Sequence, residues 1–430
     1  MSWPFISLLI VFVVAAALRL SIVLSMFAAG IVYLWVSKQD IGLLVDQTLN
    51  STITLNVLLA IPLFILTANI MNASTISERL WTFANAIVGR LPGGHGHVTV
   101  MTNLIMSSMT GSAASDAAGA GMVAIKMMRK QGHYPGGLAV AVAAASSLLG
   151  PLIPPSIPMV LYALISGASI GALFLAGIVP GLLMALSISI LILAIAKRRN
   201  LPRGEPVPLR LMPQAFGQAF VPLTLPVVLL GGIWGGVFTP TEAAAVAAFW
   251  AILIGVVWYR SLTFAGIVEA FRESSRQSAV VMLLLISSFI VNYAITNEGI
   301  GEGLSRWIAS LDLSPLAFML LVNVMFLVLG TVLDGAVMLL VFVPVLLPTV
   351  KALGIDLVHF GVVVIVNFMI AIISPPYGLI LFVLSSLTKV PMRDINREIW
   401  LFCLPLAIVL LLLIAFPQIT LFVPHMFGLK

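Results

Sequence analysis

The chain has 430 residues, of which 61% are hydrophobic and 8% charged, and its mean hydropathy is +1.17. A soluble globular protein carries about 25% charged residues, and the strands of a membrane β-barrel alternate apolar with polar residues, so both classes are excluded. The composition indicates a membrane protein with several spanning helices. In such a protein a net charge of +6 belongs to the loops and does not indicate nucleic-acid binding.

The long apolar stretches predict about ten spanning helices. They lie at residues 4–18, 20–36, 51–71, 138–166, 170–196, 218–236, 241–258, 277–296, 358–388 and 399–424. No Lys or Arg precedes the first stretch, so we expect a retained helix and not a signal peptide. With the N-terminus outside, 17 of the 21 basic residues lie on the inner side, as the positive-inside rule requires. The four outside are Lys38, Arg306, Lys351 and Lys430.

Four apolar stretches are short for a span, which needs about 20 residues. They form two adjoining pairs, which predict re-entrant hairpins at residues 97–130 and 314–352. Two long stretches contain double prolines, in GPLIPPS and SPPYG. Because proline removes a helix donor and clashes with the preceding turn, residues 138–166 and 357–388 are predicted to be discontinuous helices.

The chain divides into two halves of similar plan, residues 1–199 and 214–430, joined by a basic linker at residues 200–213. Asp116 and Asp334 are 218 positions apart, and Pro154 and Pro375 are 221 apart. With five crossings in each half, the second repeat is inserted upside down. The predicted fold is therefore an all-α polytopic membrane protein with two inverted-topology repeats, the architecture of secondary transporters.

Two segments with mixed charged and apolar residues are predicted to be connectors at the membrane surface. They run from Ile76 to Leu91 and from Phe264 to Gln277. Each is expected to brace its repeat, and the alternative is a solvated loop helix.

Small residues surround both hairpin turns, in SSMTGSAASDAAGAG and GTVLDGAV. Unwound backbone at membrane depth is tolerated only where it is buried or lines a cavity. Its carbonyl oxygens suit Na⁺, and the N-termini of half-helices attract carboxylates. Two tips opposite two proline breaks predict two cation sites beside an anion site. Taken singly, these small residues are explained as well by close helix packing.

Asp116, Asp334 and Glu242 are acidic residues within apolar stretches, where a carboxylate is costly unless it has a partner or a cavity. The two Asp residues are therefore candidates for function, in a supporting or hydroxyl-binding role. Glu242 follows Pro240 and is expected to stabilise a helix start. Cys403 is expected to pack, and His95 and His97 in a Gly-rich turn do not indicate a metal site. No nucleotide-binding, nucleophile-elbow or zinc-protease motif is present, so we expect no enzyme activity.

Several longer motifs resemble the large membrane subunit of tripartite ATP-independent periplasmic transporters. They are AIPLFILTANIM, GSAASDAAGAG, LLGPLIPPSIPMVLYALISGASIGALFLAGIVPGLL, WGGVFTPTEAAAVAA, GIDLVHFGVVVIVN and SPPYGLILFV. The similarity covers most of the chain in order. One departure is LRLS, from Leu18 to Ser21, where the family commonly has a Gly/Pro turn; it leaves the connection of the first helix pair open.

The resemblance implies a sodium-coupled elevator, in which a transport domain holding the hairpins and broken helices slides against a scaffold. It implies three partners: a small four-helix membrane subunit on a separate chain, a periplasmic substrate-binding protein, and an organic anion such as a C4-dicarboxylate or a sialic acid. Na⁺ is the coupling ion, no other cofactor or transition metal is expected, and the location is the bacterial inner membrane.

The resemblance also implies site residues. Sodium would bind mainly to the backbone at Ser107, Thr110, Gly111, Gly150, Ile153 and Pro154, and at Gly330, Thr331, Asp334, Ser374 and Pro375. Substrate would contact Ser112, Asp116, Ser156 and Asp334.

Two alternatives remain open. A self-sufficient sodium–dicarboxylate symporter or ion antiporter could share the inverted-repeat plan. An intramembrane aspartyl protease could use Asp116 and Asp334, although its GxGD sequence is missing and the two residues are expected at repeat-related positions.

Overall fold

The computed structural model describes residues 2–43, 45–46, 56–131, 134–204, 208, 210, 212–331, 333–376 and 378–429. Within them the structure is helical, and its one β-type pairing is an isolated bridge between Pro92 and Arg203. The helices of the described residues are α1 (Trp3–Ala17), α2 (Ile22–Val36), α3 (Ala60–Ala73), α4 (Ile76–Val88), α5 (Gly94–Thr110), α6 (113–131), α7 (Gly136–Ser147), α8 (Ile157–Ser166), α9 (Ile170–Arg199), α10 (Met212–Trp234), α11 (Pro240–Trp258), α12 (Phe264–Asn297), α13 (Ile300–Ser310), α14 (Pro315–Gly330), α15 (Gly335–Ala352), α16 (Leu357–Ala371), α17 (Leu379–Thr388), α18 (Met392–Ala415) and α19 (Gln418–Met426).

Five helices of the described part are long and apolar enough to cross a membrane, namely α9, α11, α12, α15 and α18. A sixth span is formed if α3 and α4, which meet at a bend of 73°, are counted together. The helices α1 and α2 have 15 residues each, less than the usual span of about 20. The count of ten spans therefore stays a prediction.

Both predicted hairpins are present as helix pairs with short turns. Hairpin 1 consists of α5 and α6, joined by Gly111 and Ser112, and hairpin 2 consists of α14 and α15. The expectation that both arms of hairpin 2 are too short to span is wrong for α15. With 18 residues, α15 passes the length test, so length alone does not separate this arm from a spanning helix.

Both predicted interruptions are confirmed. Break 1 (residues 148–156) separates α7 from α8, and break 2 (residues 372–378) separates α16 from α17. Each contains a cis peptide bond, Pro154–Pro155 in break 1 and Pro375–Pro376 in break 2. Of the residues named from the sequence, Val332, Tyr377 and Lys430, residues 51–55 of the third predicted span, and positions 205–207, 209 and 211 of the basic linker lie outside the described residues.

The second arms of the hairpins fix the register between the repeats. A π-helical turn covers Ala117–Gly121 in α6 and Met338–Phe342 in α15, an offset of 221 positions. At this offset, Asp116 corresponds to Val337. Asp334 corresponds most nearly to Ser112, because Ser112 and Asp334 each cap the start of the second arm of their hairpin. The expectation that Asp116 and Asp334 are repeat-related is therefore wrong.

The surface connector of the second repeat is also misplaced in the sequence analysis. Residues 264–277 continue without interruption into the next predicted span, and together they form the 34-residue helix α12. The counterpart of α4 is α13, whose first residue Ile300 lies 224 positions after Ile76. The last predicted span, 399–424, is two helices, because α18 ends at Ala415 and α19 begins at Gln418.

Local sequence explains two further features. Arg19 adopts a φ of 64°, so it supplies the turn between α1 and α2 that the sequence left open. At the start of α11, the backbone N–H of Thr239 donates to Oε2 of Glu242 at 2.8 Å, and the N–H of Glu242 donates to the Thr239 hydroxyl at 3.3 Å. This capping box gives Glu242 the expected structural role.

The helices pack as two groups. The flanking group consists of α1–α3 and α10–α12, in which α3 packs on α11 and α12, and α2 packs on α1 and α12. The central group consists of the two hairpins, α7–α9 and α16–α19. The connectors α4 and α13 link the groups, since α4 packs on α5 and α10, and α13 packs on α15.

The two repeats interlock inside the central group. The half-helix α8, which follows break 1, packs on α15 of hairpin 2, and α17, which follows break 2, packs on α6 of hairpin 1. The half-helices α7 and α16, which precede the breaks, form the centre of the core, and almost all of their residues are buried. Break 1 therefore lies deep in the protein, whereas the tip of hairpin 2 and part of break 2 are more exposed.

Candidate functional site

The tip of hairpin 1 is held closed by a side-chain hydrogen bond. The hydroxyl of Thr110, the last residue of α5, donates to Oδ1 of Asp116 in the first turn of α6 at 2.5 Å. Between them Gly111 has a φ of 63°, which a residue with a Cβ adopts at a cost. The turn at Gly111 therefore lets Asp116 fold back onto the end of α5.

Hairpin 1 meets break 1 at this tip. The backbone N–H of Ile157 donates to the carbonyl of Gly111 at 3.4 Å, and a side chain at Gly111 would collide with the carbonyl of Pro155. On the other side of break 1, a Cβ at Gly150 would lie 2.5 Å from Oδ2 of Asp116. Glycine at both positions allows this close approach.

Asp116 is fully buried, and one of its carboxylate oxygens has no partner. Its exposed fraction is 0%, and Oδ2 receives no hydrogen bond from the described residues. The oxygen lies against Gly150, close to the carbonyl of Ser112. A buried carboxylate with one donor is costly, so this corner of the site has the oxygen chemistry to hold a cation.

The remaining predicted residues of the first repeat have distinct structural roles. Ser112 and Ser156 cap the helix starts of α6 and α8. Ser156 also donates to the carbonyl of Pro151, and Ser107 donates to the carbonyl of Asn103, both at 2.5 Å. Ile153 directs its side chain to α9, and Pro154 begins the cis peptide bond of break 1. Of the first predicted sodium set, the structure brings Thr110, Gly111 and Gly150 together around Asp116 and break 1, and sodium binding by the set stays a prediction.

The tip of hairpin 2 approaches break 2, with a different polar arrangement. A Cβ at Gly330 would lie 2.6 Å from the Cβ of Ala371, the last residue of α16. The hydroxyl of Thr331 donates to the carbonyl of Val328 at 2.8 Å. Asp334 is exposed, and its Oδ1 accepts the backbone N–H of Ala336 at 2.8 Å. The second tip is therefore more open than the first.

Break 2 brings two further predicted residues to the end of α16. The hydroxyl of Ser374 donates to the carbonyl of Ile370 at 2.7 Å and lies 3.9 Å from Sγ of Cys403. Pro375 begins the cis peptide bond. Cys403 is buried in α18, where it packs against break 2, as expected.

Asp116 and Asp334 have different partners and different exposure. Asp116 bonds to Thr110 inside the protein, whereas Asp334 caps α15 at an exposed position. Of the four predicted substrate residues, Asp116 and Ser156 are fully buried, Ser112 is half-buried and Asp334 is exposed. Their role in substrate binding stays a prediction.

Two polar pairs that join the first arm of each hairpin to the half-helix before the break were not predicted from the sequence. Asn103 of α5 donates to the hydroxyl of Ser146 in α7 at 2.6 Å. In the second repeat, Asn367 of α16 donates to both the carbonyl and the Oδ1 of Asn323 in α14, each at 2.8 Å. The two pairs are related by offsets of 220 and 221 positions. This repeated placement of Asn within apolar stretches was the available signal.

The histidines of the Gly-rich turn also differ from expectation. The structure places His95 and His97 in the first turn of α5, where both are buried. The His95 ring lies beside Trp81 of α4, with ring centroids 6.3 Å apart. In the described part of the chain, no group of three His, Cys, Asp or Glu side chains is placed to hold a metal ion.

Known proteins share both the sequence and the fold. Residues 9–419 match the family described as the tripartite ATP-independent periplasmic transporter, DctM component. The chain is 40% identical to the sialic acid TRAP transporter large permease protein SiaM of Vibrio cholerae, over 86% of each chain. It is 35% identical to the C4-dicarboxylate TRAP transporter large permease protein DctM of Pseudomonas aeruginosa, over 87% of each chain.

Among solved structures, the YdaH transporter of Alcanivorax borkumensis aligns with a TM-score of 0.62 at 14% identity, over 87% of each chain. This similarity confirms the predicted fold class of an all-α polytopic membrane protein. The sequence matches extend across both hairpins and both breaks. The chain is a member of the family of large permease subunits of tripartite ATP-independent periplasmic transporters.

Proposed function

We propose that this subunit moves a carboxylate-bearing organic anion across the bacterial inner membrane together with Na⁺. The observation that carries the proposal is the meeting of each hairpin tip with a broken helix of its own repeat. At tip 1, Gly111 contacts Pro155 and Gly150 contacts Asp116. Interrupted helices at the repeat interface are where secondary transporters bind substrate and coupling ions.

The chemistry of tip 1 fits Na⁺. Oδ2 of Asp116 is buried without a donor, and the carbonyl of Ser112 lies on the same side of Gly150. A cation held by these oxygens would compensate the negative charge of the Asp116 carboxylate. The Thr110 hydroxyl donates only to Oδ1, so Oδ2 stays open to the cation. Asp116 then organises the ion site beside the bound substrate.

The substrate class follows from the half-helices and from the relatives. The starts of α8 and α17 follow the two breaks, and a helix N-terminus favours an anionic group. Two relatives are named for sialic acid and for C4-dicarboxylates, and both substrates carry carboxylates. We infer that a carboxylate is the recognised group.

Movement of the site is proposed to follow an elevator mechanism. The central group holds both tips and both breaks. The flanking group is joined to it through α4 and α13 and also packs directly on the hairpins, α3 on α5 and α12 on α15. Sliding of the central group against the flanking group would carry the closed site across the membrane. The family name implies two partners, a small membrane subunit and a periplasmic binding protein that delivers the anion.

The test is uptake into proteoliposomes containing this chain and its small partner subunit. We expect accumulation of a carboxylate only when the binding protein and an inward Na⁺ gradient are both present. Equal uptake when K⁺ replaces Na⁺ would refute the coupling. Equal uptake without the binding protein would favour a stand-alone symporter or antiporter.

A further inference from the structure

Besides the packing of α3 on α5, one side chain of the flanking group forms a hydrogen bond with hairpin 1. Asn72 lies near the end of α3, which packs on α11 and α12. Its Nδ2 donates to the hydroxyl of Ser115 in α6 at 2.8 Å. This bond joins the two groups next to Asp116, the residue that closes the hairpin tip.

The surface of α6 is shaped to accept Asn72. Gly119 lies one turn after Ser115, on the same face of the helix. A Cβ at Gly119 would collide with Oδ1 of Asn72, and the three atoms nearest to that position all belong to Asn72. Ser115 and Gly119 therefore form a notch, defined here by these two residues, that is filled by one amide side chain.

The notch is specific to the first repeat. At the offset of 221 positions, Ser115 and Gly119 correspond to Ala336 and Leu340 in α15. Ala336 has no hydroxyl group to accept a hydrogen bond, and the side chain of Leu340 fills the space that Gly119 leaves free. Hairpin 2 therefore has no equivalent of this polar contact at these positions.

We propose that Asn72 is a positioning residue that docks hairpin 1, and with it the central group, in one of the two end positions of the transport cycle. The inference rests on the proposed elevator function. Because Asn72 belongs to the flanking group, its bond to Ser115 has to break when the central group slides. The notch then sets where the movement stops.

A second contact between the groups provides an independent reporter of this position. The ring of Phe427, which follows α19, lies 5.9 Å from the ring of Trp234 at the end of α10, measured between centroids. The helix α19 packs on α9 and α16 of the central group. A Trp234→Cys/Phe427→Cys pair in a Cys403→Ala background, treated with a short bismaleimide, reports the population of this end position.

The test compares Gly119→Ala, Asn72→Ala and the double variant in the cross-linking background. We expect Gly119→Ala to lower the cross-linking yield about fivefold, because the new methyl group excludes Asn72 and shifts the equilibrium. Adding Asn72→Ala to Gly119→Ala should restore most of the yield, since the colliding side chain is gone. Asn72→Ala alone should lower the yield less than Gly119→Ala.

Asn69 provides the matched control. It lies one turn before Asn72 on α3, and its Nδ2 donates to Ser274 and Gln277 of α12, both within the flanking group. Asn69→Ala should leave the cross-linking yield unchanged. An unchanged yield in Gly119→Ala, or a yield that stays low in the double variant, would overturn the positioning role.

Uptake by the parent protein separates this inference from the proposed function. If the parent protein transports but all variants give the same cross-linking yield, the role of Asn72 is rejected and the proposed transport function is retained. A parent that shows no Na⁺-driven uptake would reject the proposed function. The pattern of cross-linking would then still show that Asn72 positions hairpin 1, without a link to transport.

Discussion

Thr110 and Asp116 close the tip of hairpin 1 through a direct hydrogen bond of 2.5 Å, which runs from the Thr110 hydroxyl to Oδ1 of Asp116. The bond joins the end of α5 to the start of α6 and leaves Oδ2 of Asp116 without a donor. The Thr110 hydroxyl therefore helps to fix the geometry of the carboxylate.

Replacing Thr110 by Val removes this hydroxyl with little change in shape. Because hydrogen bonds to charged groups contribute about 1.5–3 kcal/mol, we expect the Na⁺ concentration for half-maximal uptake to rise about tenfold. Thr67→Val is the control, since the buried hydroxyl of Thr67 in α3 donates to the carbonyl of Leu63 in its own helix, outside both predicted ion sites. Equal Na⁺ activation in both variants would remove Thr110 from the ion site.

Gly111→Ala tests the contact between tip 1 and break 1. The variant combines a positive φ, which costs about 1–2 kcal/mol for a residue with a Cβ, with a collision at the Pro155 carbonyl, which adds about 1–3 kcal/mol. Gly167→Ala is matched, because Gly167 has a φ of 75° and nothing near its Cβ position. We expect thermal unfolding in detergent to show a larger loss for Gly111→Ala. Equal losses would mean that tip and break do not touch.

The pair of Asn367 and Asn323 should contribute to stability. Asn367→Ala removes two donated hydrogen bonds and leaves Oδ1 of the buried Asn323 without this donor. We expect a destabilisation of about 1–3 kcal/mol, read from the shift of the thermal unfolding midpoint. The effects of Asn367→Ala and Asn323→Ala should not add in the double variant. Additive losses would contradict a direct interaction.

The ion pair between Arg199 and Glu398 connects the ends of α9 and α18. The Nη1 and Oε1 atoms are 2.8 Å apart, and the Glu398 side chain is 12% exposed. Arg199→Gln leaves that carboxylate largely buried without its cation, so we expect a loss of stability of about 1–3 kcal/mol. Arg272→Gln breaks the exposed pair with Glu269 and should change stability by less than about 1 kcal/mol. Similar melting shifts in the two variants would refute the structural role of Arg199.

The interrupted helices and the hairpins could be predicted because Pro and Gly act locally. A double proline ends a helix wherever it occurs, so breaks 1 and 2 are readable from the sequence. The continuous helix at the start of α12 could not be predicted in this way. Charged residues such as Glu269 and Arg272 suggest a separate surface segment, but the helical backbone continues because these residues are good helix formers.

The register between the repeats could not be read from residue identity. Asp116 and Asp334 are both acidic and close to a hairpin turn, yet one lies inside the first turn of α6 and the other caps α15. Helix starts depend on which residue takes the capping conformation, and Ser and Asp both serve. A shift of three or four positions in the alignment of the two repeats therefore cannot be recognised until the helix caps are located in the structure.

The exchange of partners between α8 and α15, and between α17 and α6, bears on how such a protein arose. Half of the chain on its own would leave α8 and α17 without the surfaces that bury them. An ancestor of half this length would have needed a second copy, inserted in the opposite direction, to supply these contacts. Duplication and fusion of a half-length gene would make that pairing permanent, and separate change in each copy would account for the unlike polar groups at the two tips.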